Sequence, residues 1–141
     1  MGVFSFKGYD DKFKELFVNY AFLVFIGGGV GATARYWLSG TVYRWANTSF
    51  PYGTITVNVI GCFVIGFLMT SLEERFLATP AMRVFLTIGI LGGFTTFSTF
   101  SFETIKMIED SQFQYAIVNI GMTLATCLSG TYVGTIFGRL I

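Results

Sequence analysis

Four long apolar stretches dominate this chain and decide what it can fold into. They are residues 17–42, 54–72, 82–108 and 113–140. A helix needs about 20 predominantly apolar residues to cross the hydrocarbon core of a bilayer. Because each stretch is of about that length or longer, the sequence predicts an all-α membrane protein with four transmembrane helices per subunit.

The composition agrees with a membrane environment. Of 141 residues, 53% are hydrophobic and only 12% are charged, which is too little polar surface for a soluble domain of this size. Residues 1–16 differ, because they carry charges of both signs beside spaced apolar positions, as in a short helix at the membrane surface. The apolar run that follows has no cleavage signal. We therefore divide the chain into a retained, interfacial segment, 1–16, and a transmembrane domain, 17–141.

The positive charges favour a cytoplasmic N-terminus. Cytosolic loops of membrane proteins are enriched in Lys and Arg. The side that holds both termini and the second loop carries Lys7, Lys12, Lys14, Arg75, Arg83 and Arg139. The opposite side carries Arg44 and Lys106. Three of those six charges lie in the N-terminal segment, so the transmembrane domain itself carries three against two and is oriented only weakly.

Several kinds of enzyme site are excluded. The chain contains no histidine, which removes histidine catalysis and the common zinc sites. Cys62 and Cys127 lie inside apolar stretches, which favours reduced core residues over a disulfide framework. A loose dinucleotide-binding pattern begins at Gly27. It lacks the acidic residue that holds the ribose, because no Asp or Glu lies between Glu15 and Glu73. We predict no enzyme activity and neither a nucleotide nor a nucleic acid as partner.

Glycines four residues apart mark three of the four stretches. They are Gly27 and Gly31, Gly89 and Gly93, and Gly130, Gly134 and Gly138. Small residues one turn apart let helix backbones approach closely in a membrane. The glycines therefore predict tight helix packing.

Two polar side chains interrupt the first two stretches. A guanidinium inside a membrane needs water, a carbonyl or an anion as its partner, so Arg35 either reaches out from the helix end or attracts an anion. Asn58 shares one helical face with Thr54 and Cys62. A buried asparagine either links two helices or donates its amide to a passing anion.

The segment GILGGFTTFSTFSFE, residues 89–103, is the most unusual in the chain. Its glycines and β-branched threonines disfavour a continuous helix, so we predict a break in the third helix between residues 92 and 96. Unwound backbone at membrane depth is tolerated only when it is buried in protein or lines a site. Freed carbonyls turned inward suit a hard cation such as sodium.

Beyond the predicted break, Phe97 and Phe100 share one helical face. Hydroxyl residues flank them, namely Thr96, Ser98 and Thr99. Core packing is one reading of the phenylalanine pair. The other is an anion path, because the positive edge of an aromatic ring favours a small anion that is losing its water.

Three segments together carry a resemblance to a known family. GGGVGATARY, GTITVNVIGCFVIG and GILGGFTTFSTFSFET resemble, in order, the Fluc/CrcB family of fluoride channels. The resemblance implies a passive channel of the plasma membrane that exports cytoplasmic fluoride. It also implies an antiparallel, dual-topology homodimer with two fluoride pores and a structural sodium ion at the dimer centre.

The resemblance also implies roles for residues of the second and third stretches. Backbone carbonyls of Gly92 and Thr95 from both subunits would hold the sodium. Phe97 and Phe100 match the phenylalanines that line the fluoride pore, and Asn58 matches the pore asparagine.

The resemblance also implies roles for Glu103 and for three residues of the fourth stretch. Glu103 matches an acidic position near the outer end. Asn119, Thr123 and Cys127 lie on one helical stripe, which matches a hydroxyl-rich track in the family. Cys127 occupies a position where the family pattern leads us to expect serine.

Two other functional classes make different demands. A small multidrug transporter would need a carboxylate deep in the first stretch, where this chain has Arg35. A membrane scaffold protein would explain the glycine spacing but not GGFTTFSTF. Absence of any ion flux would identify the scaffold.

Overall fold

A computed structural model describes residues 7–46, 49–74 and 79–140, with side chains described in 17–46, 49–72 and 79–140. Three long helices are α1 (Lys7–Ala46), α2 (Tyr52–Glu74) and α6 (Phe113–Leu140). Between α2 and α6 the chain forms α3 (Pro80–Arg83), a π-helix (Val84–Leu91), α4 (Gly92–Phe94) and α5 (Phe97–Glu109). Every regular element among the described residues is helical.

Four spans are long and apolar enough to cross a membrane. They are Phe17–Ala46, Tyr52–Leu72, Pro80–Glu109 and Phe113–Leu140. The predicted number, order and helical character of the spans are confirmed. The third span consists of α3, the π-helix, α4 and α5 together.

The charged N-terminal segment is continuous with the first span. Residues 7–16 and the first apolar stretch form a single helix, α1, because nothing in this part of the sequence disfavours a helix as strongly as proline would. Residues 1–6 lie outside the described residues. The position of the segment at the membrane surface stays a prediction.

The third span is interrupted at Thr95 and Thr96, inside the predicted range. Thr95 has φ −81° and ψ 158°, and Thr96 has φ −151° and ψ 111°, so both are extended. Gly92 keeps helical angles of −63° and −37°. The β-branched threonines, whose side chains fit extended backbone well, therefore form the break, whereas Gly92 continues the helix.

The spaced glycines form close helix contacts, as predicted. A Cβ built on Gly31 would overlap the Ile90 carbonyl oxygen, and one on Gly27 would lie 2.9 Å from the Cα of Gly89. These contacts join α1 to the π-helix. A Cβ on Gly134 would overlap the Phe63 carbonyl oxygen, where α6 meets α2. Backbone thus packs directly on backbone, which is how helices associate without large side chains between them.

We expect Gly31→Ala to lower the free energy of unfolding by about 1–3 kcal/mol, the usual cost of overpacking a tight interior. The added methyl meets backbone atoms, which cannot rotate away. The measurement is the thermal unfolding midpoint of the purified protein in detergent. Gly29→Ala is the matched control, because a Cβ there meets no atom of the subunit within 4 Å. Equal midpoints for both variants would contradict the packing described here.

Candidate functional site

Asn58 holds the break in the third span. Its Oδ1 accepts the Thr96 N–H at 2.8 Å, and its Nδ2 donates to the Thr96 carbonyl oxygen at 3.0 Å. Both residues are buried. In a continuous helix the Thr96 N–H would donate to the Gly92 carbonyl. The Asn58 amide therefore replaces a helical hydrogen bond and releases the Gly92 carbonyl from its helical partner.

Arg35 contacts the other residue of the break. Its Nη1 donates to the Thr95 carbonyl oxygen at 3.2 Å. The sequence predicted water, a carbonyl or an anion as the partner of this guanidinium, and a carbonyl is one partner it has. A guanidinium carries five N–H donors, so one bond to Thr95 leaves donors for other acceptors. The expectation that Arg35 attracts an anion stays a prediction.

A cleft of about 420 Å³ opens beside the break, between α2, the third span and α6. We call it the aromatic cleft, because the Phe97 and Phe100 rings line it with their centroids 5.5 Å apart and their planes inclined by 52°. Phe100 is buried, whereas Phe97 is 76% exposed in the single subunit. The polar and sulfur side chains that line the cleft are those of Asn58, Cys62, Thr87, Thr95, Thr96, Thr123 and Cys127.

A chain of buried hydrogen bonds lies behind the aromatic cleft. Asn119, which is 0% exposed, donates through Nδ2 to the Thr104 hydroxyl at 2.9 Å. That hydroxyl donates to the Phe100 carbonyl at 2.7 Å, and Thr123 donates to Asn119 Oδ1 at 3.5 Å. Asn119 is therefore bonded to Thr123, its neighbour on the predicted stripe, but it is not among the residues that line the aromatic cleft.

We expect Thr104→Val to destabilise the subunit by about 1–3 kcal/mol, because it leaves the buried Asn119 amide without its acceptor. The measurement is again the unfolding midpoint. Thr126→Val is the matched control, since the Thr126 hydroxyl makes the same bond to the carbonyl four residues earlier, that of Met122, but at an exposed position. A control variant as unstable as Thr104→Val would show that the Asn119 bond contributes little.

A second cleft, of about 270 Å³, lies on the other side of the break. We call it the charged cleft, because Arg35 and Glu103 both line it, together with Tyr43, Thr54 and Thr99. Glu103 Oε1 accepts hydrogen bonds from the Tyr43 hydroxyl at 2.9 Å and the Thr54 hydroxyl at 2.8 Å. Its Oε2 is buried without a hydrogen-bond partner among the described residues. One carboxylate oxygen is thus fixed and the other is free to take a donor.

Thr96 belongs to both clefts. It lines the aromatic cleft and the charged cleft, and its hydroxyl accepts the Thr99 N–H at 3.2 Å, which caps the start of α5. The same hydroxyl lies 2.9 Å from the Thr99 hydroxyl and 3.2 Å from the Ser98 hydroxyl. The hydroxyl residues predicted beside the phenylalanines therefore gather around the point where the clefts meet.

The face of α2 that carries Thr54, Asn58 and Cys62 is divided between the clefts. Thr54 lines the charged cleft, Cys62 lines the aromatic cleft, and Asn58 is bonded to Thr96 where they meet. Gly92 and Thr95, the predicted sodium ligands, line the aromatic cleft. Most of the predicted residues therefore line one of the two clefts, whereas Asn119 and Ser98 line neither; their roles in a pore stay a prediction.

Sequence reasoning missed Tyr43 and Thr104. Arg35, Ser39 and Tyr43 follow one another at intervals of four residues and all line the charged cleft, a helical stripe that was readable in the sequence. Thr104 follows Phe100 by four residues and was readable in the same way. No local pattern, however, indicated that their partners would be Glu103 and Asn119.

Comparison with known proteins gives one consistent result. Residues 22–135 match the family model described as CrcB-like protein, Camphor Resistance (CrcB). A protein of Geobacter sulfurreducens named fluoride-specific ion channel FluC is 50% identical over 112 residues, which cover 79% of this chain and 90% of that protein. Proteins of the same name from Citrifermentans bemidjiense and Magnetococcus marinus are 46% and 40% identical, each over 84% of this chain and over 98% and 96% of their own lengths.

Proposed function

Because this chain belongs to the CrcB-like family, we propose that it is a passive, fluoride-selective channel of the plasma membrane that lets cytoplasmic fluoride leave the cell. Hydrogen fluoride crosses membranes as the neutral acid and is trapped inside as the anion, so a selective pore alone provides an exit. The observation that supports this function best is the pair of clefts that meet at Thr96, inside a membrane span, with hydrogen-bond donors and aromatic edges around them.

The aromatic cleft suits a small anion that is losing its water. An asparagine amide has two N–H donors, and Asn58 uses one on Thr96, so the second is available to an anion in the cleft. Thr123 also lines the cleft, and its single O–H would turn from Asn119 Oδ1, 3.5 Å away, to donate to an anion there. The inclined rings of Phe97 and Phe100 offer electropositive edges. Chloride is larger and its weaker field gains less from these donors, so fluoride is preferred.

The charged cleft suits the attraction of an anion toward the break. Arg35 brings a fixed positive charge into it, and its bond to Thr95 restrains the guanidinium. Tyr43 and Thr54 donate to one oxygen of Glu103 and so partly offset its negative charge. We propose that fluoride passes between Arg35 and Thr99, with Glu103 near the outer end of the path.

The functional unit we propose is an antiparallel homodimer within the lipid bilayer, with two pores. Phe97 and Gly92 are both exposed in the single subunit, although both line the aromatic cleft. A second copy packed on this face would close the open side of the cleft and bring the Phe97 ring into the pore wall. The charges of the transmembrane domain orient the subunit only weakly, which is compatible with insertion of the subunit in both directions.

The backbone at the break fits a sodium ion, which we propose lies at the dimer centre. The Gly92 carbonyl has lost its helical donor, because the Thr96 N–H donates to Asn58. The Thr95 carbonyl accepts one N–H from Arg35, and a carbonyl oxygen has a second lone pair. Gly92 and Thr95 of both subunits would hold the ion, and the ion would join the subunits by charge attraction to their carbonyl oxygens.

We expect sodium to stabilise the dimer. Replacing it with N-methyl-D-glucamine should lower the unfolding midpoint, by an amount equivalent to about 2.7 kcal/mol at a sodium concentration 100 times the dissociation constant. Gly92→Ala should weaken this sodium dependence without clashing inside the subunit, since the nearest atom to its Cβ, the Thr87 carbonyl oxygen, is 3.8 Å away. A midpoint that is the same in both cations would contradict the sodium site.

The cellular test of the function is growth in fluoride. Expression in a bacterial strain that lacks its own fluoride export should restore growth on medium containing fluoride, and expression of an Asn58→Asp variant at equal membrane level should not. Failure of the parent protein to restore growth, with the protein present in the membrane, would contradict fluoride export.

A further inference from the structure

The aromatic cleft contains two cysteine thiols on facing helices. Cys62 of α2 and Cys127 of α6 are the only cysteines in the chain and both are free. Both side chains line the aromatic cleft. The fluoride path proposed above assigns no joint role to this pair.

Close backbone packing holds α2 and α6 together beside the two thiols. A Cβ built on Gly130, three residues after Cys127, would lie 3.2 Å from the Val59 carbonyl and 3.8 Å from the Cys62 Cβ. Farther along the same helix pair, a Cβ on Gly66 would overlap the Thr131 carbonyl. Since backbone packs on backbone on the C-terminal side of the pair, the two helices that carry the thiols cannot move apart easily.

We propose that Cys62 and Cys127 together bind one soft metal ion of the kind that accepts two thiolates, such as Hg²⁺, Ag⁺ or Cu⁺. Soft cations select sulfur ligands, and metal binding to thiols releases protons. For Hg²⁺ the step is substitution without redox: two S–H bonds break, two Hg–S bonds form and two protons leave. The product carries no net charge, which favours it in a membrane interior where isolated charges are costly.

A metal ion at this position closes the aromatic cleft. Cys62 lies one helical turn from Asn58, and Cys127 lies one turn from Thr123; all four residues line the same cleft. A bridging ion would occupy the space between α2 and α6 beside the two proposed fluoride donors. Metal binding itself is independent of transport, whereas the closure rests on the proposed fluoride channel.

The test uses the full-length protein and Hg²⁺ as the probe. Bound mercury per subunit is measured by elemental analysis after desalting, and fluoride efflux from liposomes is measured before and after Hg²⁺ is added. The variants are Cys62→Ala, Cys127→Ser and the double variant, and each is compared with its own flux before metal. Dithiothreitol is added at the end, to remove the metal.

The parent protein should bind one Hg²⁺ per subunit, and its fluoride flux should then fall. Dithiothreitol, which removes the metal, should restore the flux. Each single variant should need about 100-fold more Hg²⁺ for half block, because the second bond no longer forms within one molecule, and the double variant should not respond. Two Hg²⁺ per subunit, or equal sensitivity of the parent and single variants, would overturn the proposal. If the parent conducts no fluoride, the channel proposal fails while the mercury stoichiometry still tests the site.

Discussion

Asn58→Asp should lower fluoride flux by about 100-fold or more, since losing a buried hydrogen bond costs about 1–3 kcal/mol and each 1.36 kcal/mol is a factor of ten in rate. The aspartate keeps an acceptor for the Thr96 N–H but has no N–H for the Thr96 carbonyl, which now faces a carboxylate oxygen. It also places a negative charge in the aromatic cleft, where it repels the anion. Both effects act at the point where the two clefts meet.

The measurement is the initial rate of fluoride efflux from liposomes, with protein content and dimer fraction determined for each preparation. Asn19→Asp is the matched control, because it makes the same chemical change at an exposed position of α1. We expect the control to keep the parent rate. Parent-like flux in Asn58→Asp would remove this residue from the fluoride path.

Phe97→Ile should lower fluoride flux by roughly 10-fold, since aromatic contacts of this kind contribute about 0.5–1.5 kcal/mol beyond area burial. Isoleucine is also apolar but has no ring, so the electropositive edge is lost. The Phe97 ring lies 5.5 Å from the Phe100 ring, and its removal also changes the shape of the cleft beside Phe100. The dimer should remain intact, since an apolar side chain is retained.

Phe102→Ile controls for the loss of any exposed ring from α5. Phe102 is 71% exposed and Phe97 is 76% exposed in the subunit, but of the two it is Phe97 that lines the aromatic cleft. We expect Phe102→Ile to keep the parent flux. Equal loss in both variants would mean that ring removal disturbs the helix or the dimer, and that Phe97 has no special part in the path.

The four spans and the break were predictable because their causes are local. Apolar length determines which stretches cross a membrane, and β-branched threonines disfavour helix wherever they cluster. Close helix packing was predictable for the same reason, because the glycines that permit it lie one helical turn apart in the sequence. The π-helix Val84–Leu91 was not predicted, because its apolar sequence is equally suited to an α-helix.

The hydrogen bonds of the site were only partly predictable, because their partners lie far apart in the chain. Asn58 was expected either to link helices or to face an anion; it links α2 to Thr96, which lies 38 residues away. The Glu103 carboxylate is bonded to Tyr43, at a separation of 60 residues. Such partners depend on which helices pack together, and the sequence of a single helix carries no information on that choice.

Parallel efflux of fluoride and chloride from liposomes is the decisive measurement of fluoride conduction. Purified protein is reconstituted, a potassium ionophore dissipates the voltage, and ion-selective electrodes record both anions, with protein-free liposomes as the control. Rapid fluoride release with little chloride release is the predicted result. No fluoride release from a folded dimer, or equal release of both anions, would contradict a fluoride-selective channel.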